Sequence, residues 1–156
     1  MAQWSAFADE ISKDFSEQLN VLKETGVNNI ELRSANGQGV LNLPRHDVVQ
    51  LKKQADQEGV GFSAVGSPLG KFPMDGKFQD QLDDLKRALE YAELLEAPYI
   101  RIFSFFIPKG ETAESHRSKV MEWLEQMAEE AEKTNVILAH ENEKHIYGDI
   151  GIRCLD

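Results

Sequence analysis

The chain repeats a pattern rather than a sequence, and that pattern restricts the folds open to it. A short apolar run comes first, then a polar loop, then a helix with one apolar stripe. The runs lie at Trp4–Ala8, Asn29–Leu32, Gly61–Val65, Tyr99–Phe105 and Val136–His140, with starts 25, 32, 38 and 37 residues apart. Between them, apolar residues recur at spacings of three and four. The four sets are Phe15, Leu19 and Leu22; Val48, Leu51 and Ala55; Leu82, Leu85, Leu89 and Ala92; and Val120, Leu124, Met127 and Ala131. Each set makes one stripe that can lie on a sheet.

The helix ends carry their own signals. Asp14 and Glu17 have capping-box spacing at the first helix. Gly26 and Gly59 end the first two helices, because glycine accepts the left-handed conformation without a side-chain clash. Asn135 is expected to do the same after the fourth helix, and Ala97-Pro98 to stop the third by blocking its continuation. Asp149 reads as the N-cap of a fifth helix that barely begins.

Strand–helix alternation with short connections implies α/β structure with a parallel sheet and right-handed crossovers. An open doubly wound sheet and a closed eight-stranded barrel both satisfy that rule. No glycine-rich phosphate fingerprint follows the first run, where Phe7-Ala8-Asp9-Glu10 stands instead, and this counts against a dinucleotide site. A (β/α) barrel of eight units takes about 250 residues, or roughly 31 per unit. At that rate the 156 residues hold five units, the number counted. Residues 1–156 therefore read as the N-terminal part of a single barrel domain of TIM type, incomplete, with about five of eight strand–helix units present.

Composition narrows the function. With 17 basic and 27 acidic side chains the net charge is −10, which disfavours a phosphate backbone as partner. Cys154 is the sole cysteine, so no internal disulfide forms and a reducing compartment is the simpler expectation. The N-terminus has no basic head followed by a long apolar stretch, and the run Ile102–Ile107 is far too short to span a bilayer. A cytoplasmic protein without membrane association is the expectation.

In such a sheet the strand C-termini converge on one face, where active sites sit. Val136–Glu143 reads as a buried strand whose apolar residues run straight into His140, Glu141, Asn142 and Glu143. A carboxylate there is costly unless it is paired or metal-bound, which makes Glu141 the strongest single candidate for catalysis and metal ligation. Alternation turns His140 the other way. Glu31 and Arg33 alternate against Ile30 and Leu32, and Arg101 against Ile100 and Ile102, so Glu31 and Arg101 face the barrel interior and can pair. The pair either binds substrate or satisfies two buried charges. Lys71, on the tight loop after the third run, either holds an anionic substrate group or is a solvated loop lysine. Phe103, Phe105 and Phe106 either wall a pocket or pack in the core. Glu143, Lys144 and His145 are read as solvated, and His46 and His116 as surface residues near helix starts.

Five motifs come in order: Phe7-Ala8-Asp9-Glu10-Ile11, Ile30-Glu31-Leu32-Arg33, Ser67-Pro68-Leu69-Gly70-Lys71, Ile100-Arg101-Ile102-Phe103-Ser104-Phe105 and His140-Glu141-Asn142-Glu143-Lys144. Together they resemble the sugar phosphate isomerase/epimerase group of the xylose isomerase-like barrel superfamily, which also contains the apurinic endonuclease family. The resemblance implies an eight-stranded barrel with a divalent metal (Mn, Mg, Co or Zn) at its mouth. It also implies a small-molecule sugar or sugar phosphate as substrate, and proton transfer next to a carbonyl. Glu141 matches the family's first metal ligand and one of its two proton-transferring carboxylates. The other ligands come from the sixth to eighth strands, which this sequence lacks, so the isolated chain is expected to be inactive and possession of a bound metal is left open.

Two other readings stand beside this one. An apurinic-site endonuclease-like protein is disfavoured by the charge and by the lack of a basic stripe. A non-enzymatic partial barrel that self-associates follows from the two open sheet edges. The edges predict a homo-oligomer, a dimer or larger species by sedimentation; a stable, compact monomer at micromolar concentration would overturn it.

Overall fold

The computed structural model describes residues 3–156. Five parallel strands form one sheet: β1 (Ser5–Ala6), β2 (Asn29–Leu32), β5 (Gly61–Gly66), β6 (Tyr99–Ile102) and β7 (Ile137–His140), neighbours in that order. Helices α1 (Phe15–Thr25), α2 (Arg45–Glu58), α3 (Phe78–Leu95) and α4 (Ala113–Ala131) follow the first four sheet strands, and the short α5 (Gly151–Cys154) follows β7. The fold is α/β, an incomplete (β/α) barrel of TIM type with five strands of the sheet in place. No helix among the described residues is long and apolar enough to cross a membrane.

The helical stripes all find the sheet. Phe15, Leu19 and Leu22, then Val48, Leu51 and Ala55, then Leu85, Leu89 and Ala92, and finally Val120, Met127 and Ala131 are buried in one core with Ile30, Leu32, Phe62, Val65, Ile100 and Ile102. Leu82 and Leu124 pack against its margin. Each fully buried aliphatic side chain contributes about 1.5–3 kcal/mol by leaving water, so this face of the sheet fixes which residues are left for the other face. The other face carries Glu31, Ser63, Tyr99, Arg101, Ile137 and Ala139, none of them fully buried.

Some ends differ from expectation. Asp14 accepts from the Glu17 N–H at 2.9 Å, but its own N–H goes to Ser12 Oγ, so only half of a capping box forms. Gly26 and Gly59 do take the left-handed cap, with φ of 73° and 70°. α3 ends one step before Ala97-Pro98, at Glu96 with φ 57°. Asn135 is not a cap: α4 ends at a right-handed Glu132, and Thr134 Oγ1 closes the turn by donating to the Ala131 carbonyl and accepting from the Val136 N–H. Asp149 does not cap α5 either, whose N-cap is Ile150; its carboxylate pairs with Arg153 instead.

The largest correction concerns the last apolar run. β7 is an edge strand rather than a buried one, with Ile137 56% exposed, because it pairs only with β6. A second departure is the hairpin of β3 (Ser34–Ala35) and β4 (Gln38–Gly39), turned by Asn36 and Gly37 with φ of 53° and 75°. Asn-Gly supplies the two positive φ values that a tight hairpin turn requires. Asn36 Oδ1 then accepts from the Phe15 N–H, tying the hairpin to the start of α1.

Beyond the sheet, the loop after β5 runs alongside the loop after β6. The N–H groups of Phe103, Phe105 and Phe106 donate to the carbonyls of Leu69, Gly70 and Phe72. Gly70 has φ 81°, and a Cβ there would lie 1.9 Å from the Phe103 carbonyl oxygen. Gly110 also has positive φ but open space around it. Gly70→Ala is expected to cost more than about 3 kcal/mol, and Gly110→Ala about 1 kcal/mol, because only the first adds a backbone clash to the conformational strain. Urea unfolding of the two variants checks the difference.

Candidate functional site

Glu31 leaves β2, Arg101 leaves β6, and β5 lies between them. The two side chains still meet, with Arg101 Nη1 2.9 Å from Glu31 Oε1. They meet because the β5 residue paired with Arg101 is Gly66. A Cβ on Gly66 would stand 2.7 Å from Arg33 Cγ and 3.1 Å from Glu31 Oε1, so any larger residue would block the crossing.

Arg101 also reaches the other way, with Nε 3.3 Å from Glu141 Oε2. One guanidinium thus holds a carboxylate from each side, and the side chain is only 14% exposed. The contacts are ionic rather than well-aligned: Arg101 Nε and Glu31 Oε1 are buried and make no hydrogen bond. Burial pushes the Glu31 carboxyl above its ordinary pKa; Arg101 opposes this and Glu141 adds to it. Glu141 is not a buried charge as the sequence suggested, being 45% exposed at the edge strand.

Further cations and two rings continue the row. Arg33 donates from Nε to Asp9 and from Nη2 to Glu10, each at 3.0 Å. Burial works against the Arg33 charge, but its bonds to Asp9 and Glu10 outweigh that and raise its pKa. Its guanidinium carbon lies 4.2 Å from the centre of the Phe7 ring. Lys71 Nζ sits 4.3 Å from the centre of the Phe103 ring, and the Arg101 guanidinium 5.2 Å from that centre. Such cation–ring contacts hold charged heads in place without neutralising them. Lys71 also bonds Glu143 at 3.0 Å, which lowers the Glu143 pKa; Glu143 is therefore not a free loop carboxylate.

The structure brings Glu31, Arg101 and Glu141 together, while Lys71 pairs with Glu143 and approaches Arg101 only across the Phe103 ring. Arg33 stands on the Glu31 side, where alternation put it, and Phe7 was missed as a member of the row. Phe103 lines a cleft, Phe105 is core against Trp123, and Phe106 is half-buried. His140 does turn away from Glu141: its Nε2 lies 3.0 Å from Ser104 Oγ, which accepts from the Gly148 N–H at 2.7 Å. Desolvation lowers the His140 pKa, and Glu141 partly opposes it. His46 is exposed, but His116 is half-buried and meets Glu111 at 2.6 Å.

The metal expectation meets an obstacle. Among the described residues no three His, Cys, Asp or Glu side chains converge to hold an ion, and Glu141 faces a guanidinium. These residues do not fit a divalent ion by themselves.

A family model described as xylose isomerase-like TIM barrel matches residues 19–151. Among solved structures, the probable 3-DHS dehydratase AsbF from Bacillus anthracis is 13% identical with a TM-score of 0.79, over 99% of this chain and 57% of that one. The IOLI protein with a bound zinc atom is 14% identical with a TM-score of 0.74, over 97% and 55%. A xylose isomerase-like TIM barrel protein from Mycobacterium smegmatis, in complex with magnesium, is 13% identical with a TM-score of 0.71, over 90% and 50%. The chain thus spans about half the length of these proteins, and at such identities the likeness is one of fold. Comparison with curated protein sequences finds no match.

Arg101 offsets both carboxylates, so Arg101→Met is expected to cost roughly 2 kcal/mol at pH 7, less than a fully buried pair because the site is open to solvent. Glu31 has a folded-state pKa above its unfolded value. Its protonation therefore favours folding below about pH 4.3, and that contribution is lost as pH rises through the raised value. Removing Arg101 should move the Glu31 midpoint higher still. A carbon-detected NMR titration of the Glu31 carboxyl, with urea unfolding at acid and neutral pH, measures both effects.

Proposed function

Because the chain belongs to the xylose isomerase-like TIM barrel family, we propose that it is the N-terminal portion of a sugar isomerase or epimerase. The substrate is a small sugar or sugar phosphate, and the reaction moves a proton next to its carbonyl. The observation that supports this reading is the placement of Glu31 and Glu141 on either side of Arg101, at the C-terminal ends of the strands.

Glu141 is the proposed catalytic carboxylate. It is half exposed and can take a proton from a carbon adjacent to a carbonyl, leaving an enediolate and a neutral carboxylic acid. Return of that proton to the neighbouring carbon isomerises the sugar. Return to the opposite face epimerises it and needs a second group there. Arg101 supplies fixed positive charge beside the enediolate oxygens. Glu31, whose pKa is raised, holds substrate hydroxyls, and Lys71 contacts the substrate from the loop after β5.

The family resemblance implies a divalent ion, which would polarise the carbonyl when bound. Glu141 is the one ligand these residues would offer, so the remainder would have to come from outside residues 1–156. Proton transfer is assigned to the chain's own groups, and the isolated chain is expected to be inactive. The open edges at β1 and β7, with Tyr99 and Ile137 exposed on the face between them, support self-association of the isolated chain.

Deuterium wash-in beside the carbonyl of aldoses and ketoses tests the reaction in a polypeptide that carries the whole barrel. Exchange is expected there and absent in the 156-residue chain. Glu141→Gln should lower it at least about a hundredfold. Exchange undiminished by that substitution would remove Glu141 from the mechanism.

A further inference from the structure

Arg101 lines two clefts. One, of about 470 Å³, opens on the barrel interior and includes Glu31 and Glu141. The other, of about 310 Å³, lies between the Gly39–Asn42 turn and the loop after β5, and its walls carry Arg33, Lys71 and Arg101 over Phe103. Asp84 is the single carboxylate among its lining residues. The acidic partners of the three cations, Asp9, Glu10, Glu31, Glu141 and Glu143, line none of it.

The cations keep donors for this second cleft. Arg33 uses Nε and Nη2 on Asp9 and Glu10, while Nη1 makes no hydrogen bond among the described residues. Arg101 Nη2 makes none either, and the Lys71 ammonium has one bond to side chains, to Glu143. Phe7 and Phe103 hold the heads from the side. Guanidinium forks and an ammonium with unused N–H groups recognise tetrahedral or planar oxyanions through short, charge-assisted bonds.

We propose that the second cleft is an anion subsite, seating a phosphate or carboxylate group of the substrate between Arg33, Lys71 and Arg101. Resting on the reading above, the carbonyl end of the same molecule then lies across Arg101, at Glu31 and Glu141. The substrate class becomes a sugar phosphate or sugar acid, with one guanidinium at the junction of its charged end and its reacting end.

Calorimetric titration of the 156-residue chain with inorganic phosphate, gluconate and glucose tests this directly. At least one anion should bind, the tighter of the two naming the group, and glucose should not displace it. Lys71→Met and Arg33→Gln should each weaken binding about tenfold, and Lys71→Arg should keep it. Circular dichroism of each variant separates loss of fold from loss of the subsite, and Lys71, on a partly exposed loop, carries the decision if Arg33→Gln unfolds. Absence of binding by both anions overturns the proposal. So does binding unchanged in Lys71→Met, or displacement by glucose at equal affinity. Anion binding lost while deuterium wash-in persists removes only the subsite. Wash-in lost while anion binding persists removes only the proposed reaction.

Discussion

A single positive charge organises the open face of this molecule. Arg101 is nearly buried, and a buried guanidinium is tolerable only where carboxylates compensate it. Glu31 and Glu141 do so from strands on either side, one of them across an intervening strand. The compensation is incomplete in geometry, since Arg101 Nε and Glu31 Oε1 are left without hydrogen bonds. An ion pair held by distance rather than by alignment has room to re-form around a ligand. That property sets this cluster apart from the surface pairs on the helices, such as Lys23 with Glu58.

The fold was largely legible in the sequence because it depends on period and punctuation. Stripes such as Leu85, Leu89 and Ala92 declare a buried face, and Gly26 and Gly59 declare where helices stop. The errors fall where a local signal had a competitor. Asn135 could accept a left-handed turn, but the Thr134 hydroxyl satisfied the end of α4 instead. Asp149 could cap a helix, but Arg153 one turn on claimed its carboxylate. The burial of β7 was misjudged for another reason: apolar content says that a strand can be buried, not that it has a neighbour on both sides.

The site was legible in part. Alternation put Glu31 and Arg101 on one face, and their pairing followed from opposite charge. What the sequence did not reveal is the role of absence. Nothing in Val65-Gly66-Ser67 announces that Gly66 is a gap through which two side chains meet, because that depends on which residue of a distant strand lies opposite. Alternation put Arg33 beside Glu31, but its contact with Phe7 escaped notice for a similar reason: it joins two loops that only the sheet brings together. The Asn36-Gly37 hairpin, by contrast, carries a recognisable turn signature and could have been found.

The register between β2 and β5 slips by one residue: Ile30 lies opposite Phe62, yet Glu31 lies opposite Ala64, leaving Ser63 as the extra residue. Ser63 anchors itself by bonding Ser5 and the Ile30 carbonyl. Upstream of this bulge β5 keeps one phase of alternation, and downstream it keeps another. Only the shifted phase brings Gly66 level with the Glu31–Arg101 crossing. Were β5 to pair with β2 without the bulge, Ser63 taking a place in the ladder, every charged residue would remain and Val65 would move to the position that Gly66 must leave empty. Part of this site is thus written as a count along a strand, in a residue that bears no chemistry of its own.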